Sequence, residues 1–458
     1  MAENKENCVS IENIPYEILY QIISLIPLKE AVRTIILSSS WKHIWEPIQV
    51  CLNINSDQMT TQESSQQMSK IISSFLNTYA NTYQILSLSF LEPNSLTEET
   101  LFMKAIKGVD KELYISFHVE NPKDFRLSIE LPLCKNDYFF SLKTLHLRSI
   151  TTMVESFLSV LFSGCVNLET LSLEKCKGLQ DVDLKAHDFL HNFMILDCEN
   201  MQNVHVSSAR NLKTFLYQGT LVKIKLKEVT KLCNVTLNLK GTTALSDCNE
   251  FACEDIASLL ASLKDVEVLT LNGWLLEWLC TRGITFDELE FKFDKLKELS
   301  WADCCMNTQK RDLLVSFLSI TPSLENLFIK IYEEGSTMPC PCLHQSWPQV
   351  SHNNFNNFQL KHLKTVKIFK FKIEEDDQML VSLIDLLLKR AIAIKDMSVI
   401  EPAEKLAWRV SKIPQSHLKK IKSTSTRICS SSKSSNLQLF LSKECCLQLA
   451  AVHANYKF

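Results

Sequence analysis

Glycine is nearly missing from this chain: there are 8 in 458 residues, against ~7% in an average protein. The nearest two, Gly273 and Gly283, stand ten residues apart. Phosphate-cradling loops and nucleophile elbows need glycines about two to five residues apart, so G-x-G-x-x-G, Walker A and G-x-S-x-G are all excluded. An excess of one charge is missing too. The 49 Lys and Arg against 52 Asp and Glu leave a net charge of −3, which argues neither for nucleic-acid binding nor for global acidic repulsion. No two of the 17 cysteines sit three apart, so there is no C-x-x-C knuckle or redox pair, and no His is followed by Glu, so H-E-x-x-H is absent. Long apolar runs are lacking. Asp385 interrupts Val381–Leu388, and no run reaches the ~18–20 residues of a membrane span. Met1 to Glu6 are polar, without a signal core. With an odd cysteine count, the expectation is reduced thiols in cytoplasm or nucleus, no cofactor, no nucleic acid and no membrane. Asn234-Val235-Thr236 is then an idle glycosylation sequon.

The residues that are present begin with a helical module. Pro15 suits a first helical turn, where its missing N–H costs nothing. Ile14, Ile18, Ile22 and Leu25 recur as an apolar stripe, and Pro27 ends it. A second helix carries Val32, Ile35 and Ile36, and a third holds Trp41, Ile44 and Trp45. Three short helices bury little on their own. They either cap the next region of the chain or present an apolar face to a partner.

The residues of this module resemble the plant F-box. Ile11-Glu12-Asn13-Ile14-Pro15-Tyr16-Glu17-Ile18-Leu19 is similar to I-x-x-L-P-D-E-I-L. Ile26-Pro27-Leu28-Lys29-Glu30-Ala31-Val32-Arg33-Thr34 is similar to L-P-T-K-E-A-V-R-T, and Leu37 through Trp45 to L-S-K-R-W-x-x-L-W. Tyr16 stands for the usual Asp and Ser39-Ser40 for a basic pair, which leaves the apolar ridge intact and removes polar contacts. The resemblance implies a Skp-type adaptor as partner and, through it, a cullin. The adaptor-binding residues it implies are Ile14, Pro15, Ile18, Leu19, Ile22, Pro27, Val32 and Trp41.

From about residue 140, L-x-x-L-x-L recurs: Leu142-Lys143-Thr144-Leu145-His146-Leu147, Leu168 to Leu173, Leu212 to Tyr217, Leu232 to Leu237, Val266 to Leu271, Leu296 to Trp301 and Leu324 to Ile329. Spacings of about 20–30 residues fit leucine-rich repeats. Each unit supplies a short strand with alternate residues inward and a return segment over the far side of the core. No unit buries its leucines alone, so neighbours must stack into a curved solenoid with a parallel sheet on its concave face. Cys176, Cys198 and Cys304 follow such strands, where these repeats place a small buried Cys or Asn. Apolar segments at Ile85–Phe90 and Leu113–Phe117 start the array near residue 80, and residues 53–70 connect into it.

The pattern turns Thr144, His146, Arg148, Thr170, Ser172, Glu174, Thr214, Gln218, Asn234, Thr236, Asn238, Thr270, Asn272, Glu298, Ser300, Asn326, Phe328 and Lys330 toward solvent. This mixed polar surface suits a protein partner. The candidate substrate-binding residues are His146, Arg148, Phe328 and Lys330. Phe328 is either an aromatic anchor for that partner or packed under the loop at 332–345.

Leu363-Lys364-Thr365-Val366-Lys367-Ile368-Phe369-Lys370-Phe371 alternates as a strand. A helix comes next, capped by Asp376 and Asp377 with Leu380, Leu383, Ile384, Leu387 and Leu388 on its apolar face, and Ile394–Ile400 is a second strand. This order resembles the FBD domain that follows F-box and repeat regions in plants. Residues 403–458 hold ten Lys and Arg against Glu404 and Glu444, with Ser423–Ser435 mostly Ser, Thr and Lys. Cys340-Pro341-Cys342 with His344 and His352 could ligate zinc, but incidental thiols on a loop are the simpler account. His43 beside Cys51, or Cys340 near His344, could pair a nucleophile with a base. No motif supports either, so no catalytic residue, metal site or enzyme activity is expected.

The expected fold is α/β: a three-helix F-box at 8–50, an irregular leucine-rich-repeat solenoid at 80–355, a small strand–helix–strand FBD region at 358–402 and a basic tail at 403–458. By resemblance the chain is a substrate receptor of an SCF-type (Skp–cullin–F-box) ubiquitin ligase, holding a protein substrate for degradation. The alternative is an F-box/LRR scaffold that binds a partner without assembling a ligase.

Overall fold

Every L-x-x-L-x-L segment named above becomes one short strand whose apolar triplet points inward. Leu142, Leu145 and Leu147 are buried, as are Leu168, Leu171 and Leu173, and the corresponding residues of each later copy through Leu324, Leu327 and Ile329. Each such side chain contributes roughly 1.5–3 kcal/mol on burial, but only against the triplets of neighbouring turns. Leu363, Val366 and Ile368 are buried in the same way.

These features come from a computed structural model. It describes residues 142–240, 253–331 and 358–409 with short gaps, the strands at 50–54, 83–90, 109–117 and 126–127, and Ile14, Pro15, Ile18 and Leu19. The chain divides into two compact units, Met1–Met201 and Gln202–Phe458.

The first unit contains β1 (Val50–Ile54), β2 (Tyr83–Phe90), β3 (Val109–Phe117), β4 (Arg126–Leu127), β5 (Thr144–Arg148), β6 (Thr152–Met153), α1 (Phe157–Gly164), β7 (Thr170–Glu174), β8 (Asp181–Lys185) and β9 (Asn192–Leu196). Its main ladder runs β1-β2-β3-β5-β7-β9, each strand parallel to the next. The array starts earlier than expected, because Val50 to Ile54 pair with Leu86 to Phe90, within the stretch read as the end of the helical module and the start of the connection.

The second unit contains β10 (Asn203–Ser207), β11 (Thr214–Thr220), β12 (Lys223–Lys227), β13 (Asn234–Lys240), α2 (Cys253–Ser262), β14 (Val268–Asn272), β15 (Glu298–Asp303), α3 (Thr308–Ser319), β16 (Asn326–Ile331), β17 (Thr365–Lys370), α4 (Gln378–Arg390), β18 (Asp396–Glu401) and β19 (Lys405–Arg409). Here β11-β13-β14-β15-β16-β17-β18 are parallel in chain order, and β19 adds antiparallel to β18. The FBD-like segment thus extends the repeat ladder: β17 pairs in register with β16, and β18 with β17.

Among the described residues the return segments include helices and strands. Several of the longer turns carry a helix. Asn307 caps α3, its side chain accepting from the Lys310 N–H at 2.9 Å, and Leu313, Leu314, Phe317 and Leu318 are buried. On α4, Leu380, Leu383, Ile384 and Leu387 are buried while Leu388 is half-buried; the proposed caps Asp376 and Asp377 lie outside the described residues. Where the period shortens to about twenty residues there is room only for a second strand, and β10 and β12 pair as a parallel ladder of their own. This second set of strands goes beyond the sequence expectation. Its signal is the strict alternation of Asp181-Val182-Asp183-Leu184-Lys185 and Lys223-Ile224-Lys225-Leu226-Lys227, with Val182, Leu184, Ile224 and Leu226 buried.

Several ladder strands end the same way. Ser149, Lys175 and Asp197, following β5, β7 and β9, have φ of 57°, 52° and 50°, and Ser208 and Glu228, following β10 and β12, have 57° and 54°. A left-handed residue just past each of these strands redirects the chain. None of these is glycine, so each carries steric cost.

Candidate functional site

Only the start of the N-terminal helical module is described. The Pro15 carbonyl accepts from the N–H of Ile18 at 3.0 Å and of Leu19 at 3.2 Å, the first turn of a helix beginning at the proline. Ile14 is half-buried, Pro15 is exposed, Ile18 is 46% exposed and Leu19 only 4%. Ile18 thus presents apolar surface outward while Leu19 turns inward. Ile22, Pro27, Val32, Trp41 and the departures Tyr16, Ser39 and Ser40 lie outside the described residues.

The outward strand face is the second candidate, and here the sequence expectation needs correction. His146 is 7% exposed, and Thr170, Ser172, Thr214, Asn234, Thr236, Thr270, Asn272 and Ser300 are also buried. Parallel neighbours stand only ~4.8 Å apart, so a small polar side chain between larger in-register neighbours is shaded. Ser172 lies between His146 and Met194, and Ser300 between Thr270 and Phe328.

His146 stacks on Tyr114, ring centroids 4.5 Å apart and planes 5° off parallel. Burial pushes its imidazole down to about 3, so at neutral pH it is an uncharged part of the sheet. Arg148 is half-buried and pairs with Glu174 across the strands at 3.5 Å. Phe328 and Lys330 remain half-exposed on β16, and burial lowers the Lys330 ammonium below its ordinary range. The loop at 332–345 lies outside the described residues.

Polar side chains also connect turns directly. Asn192 Nδ2 donates to Thr170 Oγ1 at 3.0 Å, and Asn238 Nδ2 to Gln218 Oε1 at 3.2 Å. At several strand entries the residues before neighbouring strands carry opposite charge. Lys297 meets Glu267 at 2.9 Å, and Lys364 meets Glu325 at 2.6 Å. In the first unit, Lys143 meets Glu169 at 2.6 Å. These pairs hold register and are individually weak.

Behind the second unit's strands lies a buried ion pair that sequence patterns do not reveal. Lys310 of α3 bonds Asp303 of β15, with side chains 1% and 3% exposed. Beside it Trp301 is buried against Phe317, centroids 6.3 Å apart, and Phe317 also meets Phe286 at 5.4 Å.

The buried thiols among the described residues behave as structure. Cys176 Sγ–H donates to the Leu147 carbonyl and Cys198 Sγ–H to the Leu173 carbonyl, both at 3.5 Å, the bridging role expected of a small polar residue after each strand. Cys304 lies outside the described residues. Burial pushes the Cys165 thiol up to about 12 and raises Cys176 well above its ordinary value, the opposite of an activated nucleophile. The loop bearing Cys340, Cys342, His344 and His352 is outside the described residues, as is His43. Among the described residues no cluster of three His, Cys, Asp or Glu could hold a metal ion, and no helix is long and apolar enough to cross a membrane.

A family model described as At1g61320/AtMIF1, LRR domain, matches residues 128–438, well over half of the chain. The chain is 25% identical over 388 residues to the F-box/LRR-repeat protein At5g02910 of Arabidopsis thaliana, covering 77% of this chain and 76% of that one. It is 23% identical over 420 residues to the FBD-associated F-box protein At5g60610 of the same plant, covering 85% and 99%, and 22% identical to the FBD-associated F-box protein At1g61320 over 57% and 56%. Parallel one-strand turns with inward leucines, strand-terminal cysteines bonded to the preceding turn, and a family match across most of that array agree: the chain belongs to the At1g61320/AtMIF1 leucine-rich-repeat family, among relatives named F-box/LRR-repeat and FBD-associated F-box proteins.

Proposed function

We propose that this protein is the substrate-recognition subunit of an SCF-type ubiquitin ligase. Its N-terminal module docks a Skp-type adaptor, and through it a cullin, while its repeats hold a protein substrate for ubiquitin-dependent degradation. The observation that carries this is the joining of an F-box-like sequence to a repeat ladder in one chain, as in relatives whose names contain both features. The protein itself supplies no catalytic group. It accelerates transfer by proximity, which is worth up to ~7–11 kcal/mol in well-oriented systems. Its place of action would be the cytoplasm or nucleus, where the adaptor and cullin are met.

The direct test is co-purification of the full chain with a Skp-type adaptor, followed by addition of cullin. Both should be retained, and Ile18→Lys should abolish adaptor capture because Ile18 is exposed while its neighbour Leu19 is buried. Unchanged adaptor affinity in a folded Ile18→Lys chain would overturn the docking assignment. Adaptor capture that never recruits cullin would leave an interaction scaffold instead of a ligase subunit.

A further inference from the structure

On the outward face of β16 and β17, register places Phe328 beside Lys367 and Lys330 beside Phe369. Phe328, Lys330, Lys367 and Phe369 are all half-exposed, while the alternate residues Leu327, Ile329, Val366 and Ile368 are buried on the other side. Two rings and two ammonium groups therefore occupy opposite corners of a square about 7 Å along the strands and ~4.8 Å across them. The next strands add no charge beside it. Ser300 and Ala302 flank it on β15, and Ser398 and Ile400 on β18. Among the described residues of these strands, the carboxylates of this face are Glu298 and Asp396, one row earlier at the strand starts, with Asn326 and Thr365 between them.

Ser300 adds a second observation. It is 1% exposed, and its Oγ has no hydrogen-bond partner among the described residues, directly beside Phe328.

We infer that this square receives an acidic segment of the substrate in which an apolar and a carboxylate side chain lie two residues apart. An extended peptide presents residues i and i+2 on one side about 7 Å apart, which matches Phe328 followed by Lys330. On β17 the order reverses to Lys367 followed by Phe369, so the same pair is accepted in either chain direction. The ring corners take the apolar group and the ammonium corners the carboxylate. That the segment belongs to a substrate rests on the receptor function proposed above; the binding chemistry does not.

The test uses a displayed library of random peptides selected on the full chain, with affinities of recovered peptides measured by fluorescence anisotropy. Peptides enriched in an acidic and an apolar residue two apart are expected. Phe328→Ala should weaken them about thirtyfold, and Lys330→Glu with Lys367→Glu should switch the selection to basic peptides. If Phe328→Ala melts early, the charge-reversed chain still decides, because both lysines face outward. Recovery of basic or uncharged peptides by the unaltered chain, of peptides indifferent to these variants, or of none because the chain's own loop at 332–345 covers the square, overturns the inference. Adaptor capture by the same variants should be unchanged; its loss in the unaltered chain would sink the receptor function while leaving the peptide result standing.

Discussion

Gly273 faces the carboxylate of Asp303: a Cβ built on the glycine would overlap Asp303 Oδ2 and lie 3.3 Å from Trp301 Nε1. A glycine-poor chain thus keeps a glycine where a buried carboxylate must reach Lys310. In a low-dielectric interior both charges cost desolvation, and the pair is tolerable only while intact.

Gly273→Ala should therefore push Asp303 away from Lys310 and destabilise the fold by about 3–5 kcal/mol. Asp303→Ala alone should cost a similar amount, while Asp303→Leu with Lys310→Met should recover much of it. Urea denaturation of the four chains checks this. A Gly273→Ala chain as stable as the parent would show that the carboxylate moves aside freely.

Strand ends carry relievable strain. Lys175 is exposed with φ of 52°, a region costing roughly 1–2 kcal/mol for a residue with a side chain. Lys175→Gly should stabilise by about 1 kcal/mol after the entropic cost of glycine is set against it, and Lys175→Val should destabilise. Gly178 works in the opposite sense. Its φ is +94° and an added Cβ would lie 2.6 Å from the Met153 carbonyl oxygen, so Gly178→Ala should destabilise. Thermal melts of the three variants read the signs.

His146 makes stability depend on pH. Its folded value of about 3 lies below the ordinary 6.5, so the unfolded state binds the proton more readily. Stability from this residue is fully present above pH about 6.5 and is lost as pH falls toward about 3. The whole window is worth on the order of 5 kcal/mol. His146→Phe, which keeps a ring against Tyr114, should flatten this part of the stability–pH curve. An unchanged slope would mean that the imidazole already takes up its proton in the folded protein.

Buried thiols should be slow. Cys165, raised to about 12, and Cys176, bonded to a backbone carbonyl, should resist iodoacetamide at neutral pH in the folded chain and react promptly in denaturant. Cys233, half-buried, should react first of the three. Mass spectrometry of peptides over time measures the order, and fast labelling of Cys176 would contradict its packed placement.

Much of the ladder is legible from Leu142 to Ile329, because an inward triplet repeated at a short period leaves a chain few other ways to bury it. The FBD-like strand at Thr365–Lys370 obeys the same template, with Leu363, Val366 and Ile368 inward. The return strands β10 and β12 escape notice because their alternation is short and lysine-rich, although Lys223-Ile224-Lys225-Leu226-Lys227 carries the period. For the candidate surface, the pattern marks Phe328 and Lys330 correctly as outward but misses Lys367 and Phe369, which lie about forty residues away in sequence and meet them only by register. His146 is misread because alternation tells which side a residue faces, not how closely its neighbours stand.

The sequence by itself determined the parts: an F-box-like start, inward leucine triplets that must stack, and strand-terminal cysteines small enough to reach back to the previous turn. Those depend on local period and residue size. Only the tertiary structure decided which outward residues are shaded, which lysine stands in register beside which ring, and that Gly273 clears a path for Asp303, because each depends on which residue of the neighbouring turn stands opposite. In a parallel ladder that neighbour is one whole turn away along the chain, beyond the reach of any local pattern.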